Sequence, residues 1–123
     1  MAVRLDTVVI DAADRQLVGS FWARVLSWET EIDGDGDLVV FDPNGAAGVK
    51  LLVLAVDDPK TTKNRLHLDL TPVGTGQTEE LDRLLSLGAT RVDIGQGEPS
   101  WVVLADPEGN EFCLLAPRDD RAG

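Results

Sequence analysis

The sequence has few of the residues on which many common functional classes depend. Of its 123 residues, one is cysteine and one is histidine. A single cysteine, Cys113, excludes an internal disulfide and fits a reducing compartment, so we expect a cytoplasmic protein. Its place in an apolar segment favours a buried thiol over a nucleophile. No base lies at motif spacing from Ser20 or Cys113, and residues 74–76 lack the lysine of a phosphate-binding loop.

Long apolar runs and basic residues are also scarce. The sequence has no stretch of membrane-span length and no signal-peptide pattern, since Met1–Asp6 becomes charged within a few residues. Acidic residues outnumber basic ones 22 to 11, and the formal net charge is -11. This charge repels nucleic acid and anionic membranes, which we exclude as partners. Solubility explains the charge most simply, and a neutral or cationic small molecule is also compatible with it.

An internal repeat is the main positive signal in the chain. In Trp101–Leu115, two β-rich apolar runs flank Asp106-Pro107-Glu108-Gly109, a composition typical of a type I turn, which predicts a hairpin. A second copy of this pattern lies around Asp42-Pro43-Asn44-Gly45. Each half of the chain is too small to bury a core alone, so we expect the halves to share one.

The first half is predicted to have the element order βαβββ. A strand at Leu5–Asp11 is followed by a helix that has Asp14 as its N-cap and ends near Trp28. Three further strands are predicted at 29–33, 38–41 and 49–56. The polar segment 57–64, which contains a proline, is the predicted linker to the second half.

The second half is predicted to repeat this order. Leucines alternate with His67, Asp69 and a threonine along the strand Arg65–Thr71. A helix over Thr78–Leu87, with Thr78 as its N-cap, is closed by Gly88. Strands at Thr90–Ile94 and in the last hairpin complete the half.

Alternation within the strands predicts which side chains lie on the sheet faces away from the helices. A cleft between these faces would present a few polar groups on an apolar wall, which suits a small organic ligand. The predicted lining consists of Thr7, Val9, Val39, Phe41, Lys50 and Leu52 in the first half and His67, Asp69, Trp101, Val103, Glu111 and Cys113 in the second. Of these, Trp101 is the aromatic residue expected to stack on a ligand.

The βαβββ repeat, the string Val9–Leu26, the strand His67–Leu70 and the turn Asp106–Phe112 together resemble the vicinal oxygen chelate superfamily. This superfamily contains glyoxalase I, extradiol dioxygenases and bleomycin-resistance proteins, and the likeness is closest to small glyoxalase-like proteins of actinobacterial type. The resemblance implies an α+β fold: one domain, 1–123, in which two βαβββ modules, about 4–56 and 65–117, form curved mixed sheets around a cleft. It also implies a homodimer.

The resemblance carries four metal-ligand positions onto this sequence, at Thr7, Lys50, His67 and Glu111. Protonated Lys50 has no lone pair, and Thr7 offers only a weak neutral oxygen. We therefore expect no tightly bound cofactor or metal. A two-ligand site at His67 and Glu111, completed by water, would suit only a weakly bound divalent ion.

The function stays open among three hypotheses. The favoured one is a metal-poor binding or resistance-type protein that takes up a planar or cationic small molecule. The alternative is a metal-dependent lyase, isomerase or dioxygenase of the glyoxalase I type, in which His67 and Glu111 act as catalytic residues. The third is a module with a vestigial cleft that serves for dimerisation.

Each polar candidate also has a purely structural interpretation. His67 is then a hydrogen-bonded histidine of the sheet, and Asp69 is a surface carboxylate or the partner that fixes the imidazole tautomer. Glu111 is then half of a structural salt bridge with Lys50.

Overall fold

The chain folds as two copies of one βαβββ arrangement. The structure is a computed structural model that describes residues 2–93, 95, 97 and 100–117. The chain divides into two compact units, Met1–Pro59 (unit 1) and Lys60–Gly123 (unit 2). Among the described residues each unit contains one helix and one four-stranded mixed sheet, which confirms the predicted α+β class. Neither of these two helices is long and apolar enough to cross a membrane.

Unit 1 contains five elements in the predicted order: β1 (Thr7–Ala12), α1 (Arg15–Leu26), β2 (Glu29–Ile32), β3 (Leu38–Phe41) and β4 (Lys50–Ala55). The strand order is β1-β4-β3-β2, in which β1 runs parallel to β4 and the other pairs are antiparallel. Parallel pairing of β1 with β4 requires a crossover, and α1 supplies the helical part of it.

Helix α1 packs on the sheet of unit 1 through a broad apolar stripe. Its Val18, Phe21 and Trp22 are buried, and the two aromatic rings meet edge to face with centroids 5.4 Å apart. Gly19 approaches the sheet so closely that a Cβ atom there would collide with the side chain of Leu38. A glycine at this position therefore allows the close contact between helix and sheet.

The two ends of α1 are set by specific caps. Asp14 is the N-cap, as predicted, and its carboxylate accepts a hydrogen bond of 3.1 Å from the Leu17 N–H. The helix ends at Leu26, two residues before the predicted end, because Ser27 adopts a left-handed conformation with φ 57°. The Trp28 N–H then bonds back to the Ala23 carbonyl at 2.8 Å, which terminates the helix.

Unit 2 repeats the arrangement with β5 (Leu68–Leu70), α2 (Gln77–Leu87), β6 (Thr90–Arg91), β7 (Val102–Ala105) and β8 (Glu111–Leu114). The strand order is β5-β8-β7-β6, and β5 runs parallel to β8 as β1 does to β4. The core of this unit includes Leu84 of α2, Leu104 of β7 and Phe112 of β8, each 0% exposed.

Two predicted strands of unit 2 are longer than the observed ones. The strand predicted at Arg65–Thr71 is reduced to the three residues of β5, and Leu66 is 89% exposed. The alternating pattern overextends this strand because pairing with β8 begins only at Leu68. The strand predicted at Thr90–Ile94 ends at Arg91, and Ile94 lies outside the described residues.

The start of α2 also differs from the prediction. The helix begins at Gln77, and Gly76 is its N-cap without a side-chain hydrogen bond, so Thr78 lies inside the first turn. The predicted end is confirmed, because the Gly88 N–H bonds to the carbonyls of Leu84 and Leu85. The side chain of Gln77 instead bonds to the carbonyl of Leu114, at 3.2 Å, and so ties the start of α2 to the end of β8.

The cap difference leads to a prediction about helix stability. We expect Asp14→Ala to lower the free energy of unfolding by about 1 kcal/mol, because the Leu17 N–H loses its acceptor. The matched substitution Thr78→Ala is expected to change it by less than about 0.5 kcal/mol. Urea denaturation of the two variants measures both values, and similar losses would contradict the cap assignment.

The two Asp-Pro-x-Gly hairpins share one turn geometry. In each turn the glycine N–H bonds to the aspartate carbonyl, at 3.0 Å for Gly45 and 2.9 Å for Gly109. Both glycines have a positive φ, 69° and 93°, which an L side chain rarely adopts. In each turn the aspartate carboxylate also accepts backbone N–H groups from the residues that follow it. The sequence repeat is thus a repeat of hydrogen bonds as well.

Candidate functional site

The sheet of unit 2 brings several predicted site residues into register. Asp69 of β5 lies opposite Cys113 of β8, and Cys113 lies opposite Val103 of β7. Since paired residues point to the same face, these three side chains form a row across three strands. Glu111 lies two residues before Cys113 and therefore one position along on the same face.

The imidazole of His67 meets the carboxylate and the thiol of this row. His67 lies just before β5, and its Nε2 is 3.3 Å from Asp69 Oδ1. One ligand atom from each of His67, Asp69 and Cys113 lies within 4.8 Å of the other two. We call these three residues the His67–Asp69–Cys113 cluster. Its histidine and aspartate side chains are 45% and 50% exposed, whereas Cys113 is buried.

The thiol of Cys113 is protonated at neutral pH. Burial raises its pKa above the ordinary value of 9.0, and the neighbouring Asp69 carboxylate, which accepts a hydrogen bond from the thiol, raises the pKa further. A neutral thiol is a poor nucleophile. This agrees with the sequence-based interpretation of Cys113 as a buried thiol.

Glu111 holds the chain segment that precedes β5. One of its carboxylate oxygens accepts a hydrogen bond of 2.9 Å from Lys60 Nζ, and the other accepts one of 2.9 Å from the Asn64 N–H. The Lys60 and Glu111 side chains are only 20% and 11% exposed. Burial acts to raise the pKa of Glu111, but the bonds from Asn64 and Lys60 outweigh it and hold that pKa below its usual 4.5.

In unit 1, Thr7 and Lys50 are also neighbours, and both contact Asp6. They lie opposite each other across β1 and β4. The Thr7 hydroxyl donates to Asp6 Oδ2 at 2.6 Å, and Lys50 Nζ lies 3.1 Å from the same oxygen. These two hydrogen bonds, that of Thr7 first, lower the pKa of the exposed Asp6 carboxyl.

The structural salt bridge predicted for Glu111 therefore exists with a different partner. Glu111 pairs with Lys60, and Lys50 pairs with Asp6. The sequence pattern missed Lys60 and Asn64 because both lie in the predicted linker, where no strand alternation indicates a direction. The only sequence signal in residues 57–64 is their polar composition, and composition does not predict which residue Lys60 or Asn64 contacts.

The remaining predicted residues divide into exposed and covered ones. Val9, Leu52 and Val39 form a row across β1, β4 and β3, with Val9 50% and Val39 4% exposed. Phe41, at the end of β3, is half-buried. Trp101, directly before β7, is 42% exposed, so its ring has free surface. Their shared role in a ligand cleft stays a prediction.

Comparison with known proteins identifies the family. A family model of the glyoxalase-like domain matches residues 7–115. The chain belongs to this family. As a glyoxalase-like domain it is a member of the vicinal oxygen chelate superfamily, which confirms the resemblance found in the sequence. Among curated proteins, none matches the chain significantly.

Solved structures share the fold of this glyoxalase-like domain at low sequence identity. A glyoxalase/bleomycin resistance protein/dioxygenase superfamily member from Sphaerobacter thermophilus has a TM-score of 0.66 and 17% identity, with 95% of this chain and 98% of that chain covered. A glyoxalase/bleomycin resistance protein/dioxygenase family enzyme from Burkholderia phytofirmans has a TM-score of 0.64 and 18% identity, with 91% of this chain and 97% of that chain covered. Oxidase ChaP-H1 has a TM-score of 0.62 and 21% identity, over 98% and 99%.

The four metal-ligand positions implied by the superfamily do not suit a divalent ion in this glyoxalase-like domain. The Lys50 ammonium is a cation with no lone pair, and the Thr7 hydroxyl donates its hydrogen bond to Asp6 and offers a metal only a weak neutral oxygen. Both oxygens of Glu111 accept hydrogen bonds, one of them from a second ammonium group. Of the four, His67 is the best suited to bind a metal. Its side chain is 45% exposed, and its ion pair among the described residues is with Asp69 and not with a lysine. We therefore derive no chemistry through a metal at these positions.

Proposed function

We propose that this glyoxalase-like domain binds a planar, cationic small molecule and does so without a metal held at Thr7, Lys50, His67 and Glu111. The observation that carries the proposal is the bonding of Glu111, whose two oxygens are engaged by Lys60 and Asn64. A metal would have to displace a half-buried ammonium group to reach this carboxylate. Breaking such a pair leaves an unpaired charge, which is costly.

Two groups of unit 2 and the net charge of the chain support a cationic, flat ligand. Asp69 is 50% exposed and supplies a negative charge. Trp101 is 42% exposed, and an indole face attracts both planar rings and cations. The formal net charge of -11 raises the local concentration of cations around the whole chain. Recognition would combine stacking on Trp101 with a charge-assisted contact to Asp69.

A thermal-shift screen with planar cationic compounds tests the proposal. A compound present at about a hundred times its Kd stabilises the folded protein by roughly 2.7 kcal/mol, which a melting curve resolves. We expect Trp101→Ala and Asp69→Asn each to reduce the shift. Val73→Ala is the matched control, because Val73 is 90% exposed and belongs to no predicted site.

The metal-dependent lyase or dioxygenase is the outcome that would replace this proposal. It would be indicated if no compound raised the melting temperature while protein purified without chelator held one equivalent of metal that the variant Cys113→Ser retains. Loss of that metal in Glu111→Gln would then assign it to the superfamily positions. An organic ligand bound equally well by Trp101→Ala would separately contradict the role of the indole.

Two further properties belong to the proposal. We infer a cytoplasmic location from the single cysteine in the sequence, which favours a reducing compartment. We infer a homodimer from membership of the superfamily alone. Sedimentation at micromolar concentration measures the assembly, and a monomer there would contradict the inference.

A further inference from the structure

We propose that the His67–Asp69–Cys113 cluster binds one zinc ion or a chemically similar divalent metal. This site differs from the superfamily positions, since Asp69 and Cys113 replace Glu111 and both groups of unit 1. It lies one position further along β8, on the same face of the sheet. The metal site does not require the organic ligand proposed above, but the two share Asp69, so a metal held there would compete with that ligand for the carboxylate.

The donor set selects the type of metal. The cluster offers one imidazole nitrogen, one carboxylate oxygen and one thiolate sulfur. Thiolate and imidazole ligands favour zinc and its neighbours over magnesium or calcium, which prefer oxygen. A second acidic group among the described residues, Asp33, Asp35 and Asp37, offers oxygen alone. Asp33 already accepts backbone hydrogen bonds from the other two in a turn, so this group serves only as a comparison.

The distances are close to those of a tetrahedral site. Ligands bound to zinc at about 2.0–2.3 Å lie roughly 3.4 Å from one another in a tetrahedron. The His67 Nε2 to Asp69 Oδ1 distance is 3.3 Å, and all three ligand atoms lie within 4.8 Å. The longest separation therefore needs to shorten by no more than about 1.4 Å.

The backbone supports this closure. Asp69 and Cys113 are paired residues of the β5–β8 ladder, so two ligands are fixed on rigid neighbouring strands. His67 precedes β5 and is not held by strand pairing, so its ring has freedom to adjust. Three protein ligands leave a fourth position for water, as in zinc sites that retain an open position.

Metal binding requires a defined rearrangement of protons and charge. The Cys113 thiol, which now donates to Asp69, releases its proton to solvent when the sulfur coordinates the ion. Asp69 then turns its oxygen from the thiol to the metal. Lys63 is the nearby cation that acts on the thiol, and its ammonium donates to the Asn64 carbonyl at 3.2 Å. Asp69 and the bound thiolate together outweigh this one positive charge.

Cobalt titration tests the proposal directly, because a cobalt–thiolate bond absorbs in the near ultraviolet. Full-length protein freed of metal by a chelator is titrated with Co²⁺ alone, without any organic compound. We expect one equivalent to produce this charge-transfer absorption together with the visible bands of tetrahedral cobalt. Added Zn²⁺ should abolish both signals.

Variants assign the signal to its ligands. Cys113→Ser is expected to abolish the charge-transfer absorption. Asp69→Asn is expected to keep the sulfur signal but to weaken binding, by at least about 10-fold, and the same holds for His67→Gln. Asp69 is half exposed, so this variant stays informative if Cys113→Ser folds poorly.

Two controls separate this site from others. Glu111→Gln and Asp35→Asn are expected to leave the cobalt spectrum unchanged. The proposal is overturned if cobalt gives no sulfur absorption, or if Glu111→Gln weakens binding as much as Asp69→Asn does. Since no organic ligand is present, failure here is distinct from a failed thermal-shift screen.

Discussion

Asp106→Ala is expected to lower the free energy of unfolding by about 3 kcal/mol, the largest single effect that we predict. Asp106 is 2% exposed, the only buried charged residue among those described. Its carboxylate accepts hydrogen bonds from the N–H groups of Glu108 and Asn110 and from the Asn110 side-chain amide. Alanine leaves these donors without an acceptor, at a cost of about 1–3 kcal/mol for each group that water fails to reach.

The other copy of the turn supplies the matched control. Asp42 likewise accepts three hydrogen bonds, in its case all from backbone N–H groups, those of Asn44, Ala46 and Ala47. Asp42 is half-buried and its donors are exposed, so water replaces the lost carboxylate. We expect Asp42→Ala to cost about 1 kcal/mol.

Urea denaturation followed by both circular dichroism and tryptophan fluorescence measures these values and checks that the two probes coincide. Asp106→Asn, which keeps one acceptor oxygen, should fall between alanine and wild type. Equal losses for the two alanine variants would contradict the role of burial.

Glu111→Gln is expected to lower the free energy of unfolding by about 2 kcal/mol at neutral pH, the second largest effect. The change removes the charge that pairs with Lys60, and it places an amide where the ammonium needs an acceptor. The bond from the Asn64 N–H survives, because glutamine keeps one carbonyl oxygen. The loss is therefore smaller than that of a fully broken buried pair.

The pH dependence of this effect has a definite sign. The folded state holds the pKa of Glu111 below its usual 4.5. Such a group contributes its full stability above the unfolded pKa, and this contribution is lost as the pH falls through the lower folded pKa. The difference between wild type and Glu111→Gln should consequently be constant from pH 6 to 7 and shrink below about pH 4.5. A difference that does not change with pH would contradict the assignment.

The exposed ion pair of Lys50 and Asp6 is the comparison for the half-buried pair of Glu111 and Lys60. Lys50 and Asp6 lie 3.1 Å apart, but their side chains are 43% and 61% exposed. Solvent screens such a pair, so Lys50→Gln should leave the melting temperature unchanged within error. Lys60→Gln combined with Glu111→Gln completes a double-mutant cycle for the half-buried pair.

The fold was largely accessible from the sequence because its signals are local. The Asp-Pro-x-Gly motifs specify a turn within four residues, and the apolar stripe of α1 specifies the buried side of the helix. Predictions were wrong where a tertiary partner decides the outcome. Leu66 continues the alternating pattern of β5 but lies before Leu68, where the pairing with β8 begins, and the helix start at Gln77 uses a glycine cap instead of Thr78.

The candidate site was accessible only in part for the same reason. Alternation along β5 and β8 predicts that Asp69 and Cys113 share a face, and the strand register agrees. The partners of Glu111 come from residues 60–64, far away in sequence, and a charge pair across this separation has no local signature. The pKa shift of Glu111 depends on these partners, so the sequence alone does not predict it.

Because the two duplicated turns differ in burial, we expect the first to tolerate an inserted peptide and the second not to. Asn44 and Gly45 lie at an exposed tip, so a peptide tag or fluorophore-labelling sequence inserted between them would extend into water and leave the flanking strands paired. An insertion between Glu108 and Gly109 would separate Asp106 from the donors that follow it. A reporter label used to follow this protein in cells should accordingly be placed at the first tip.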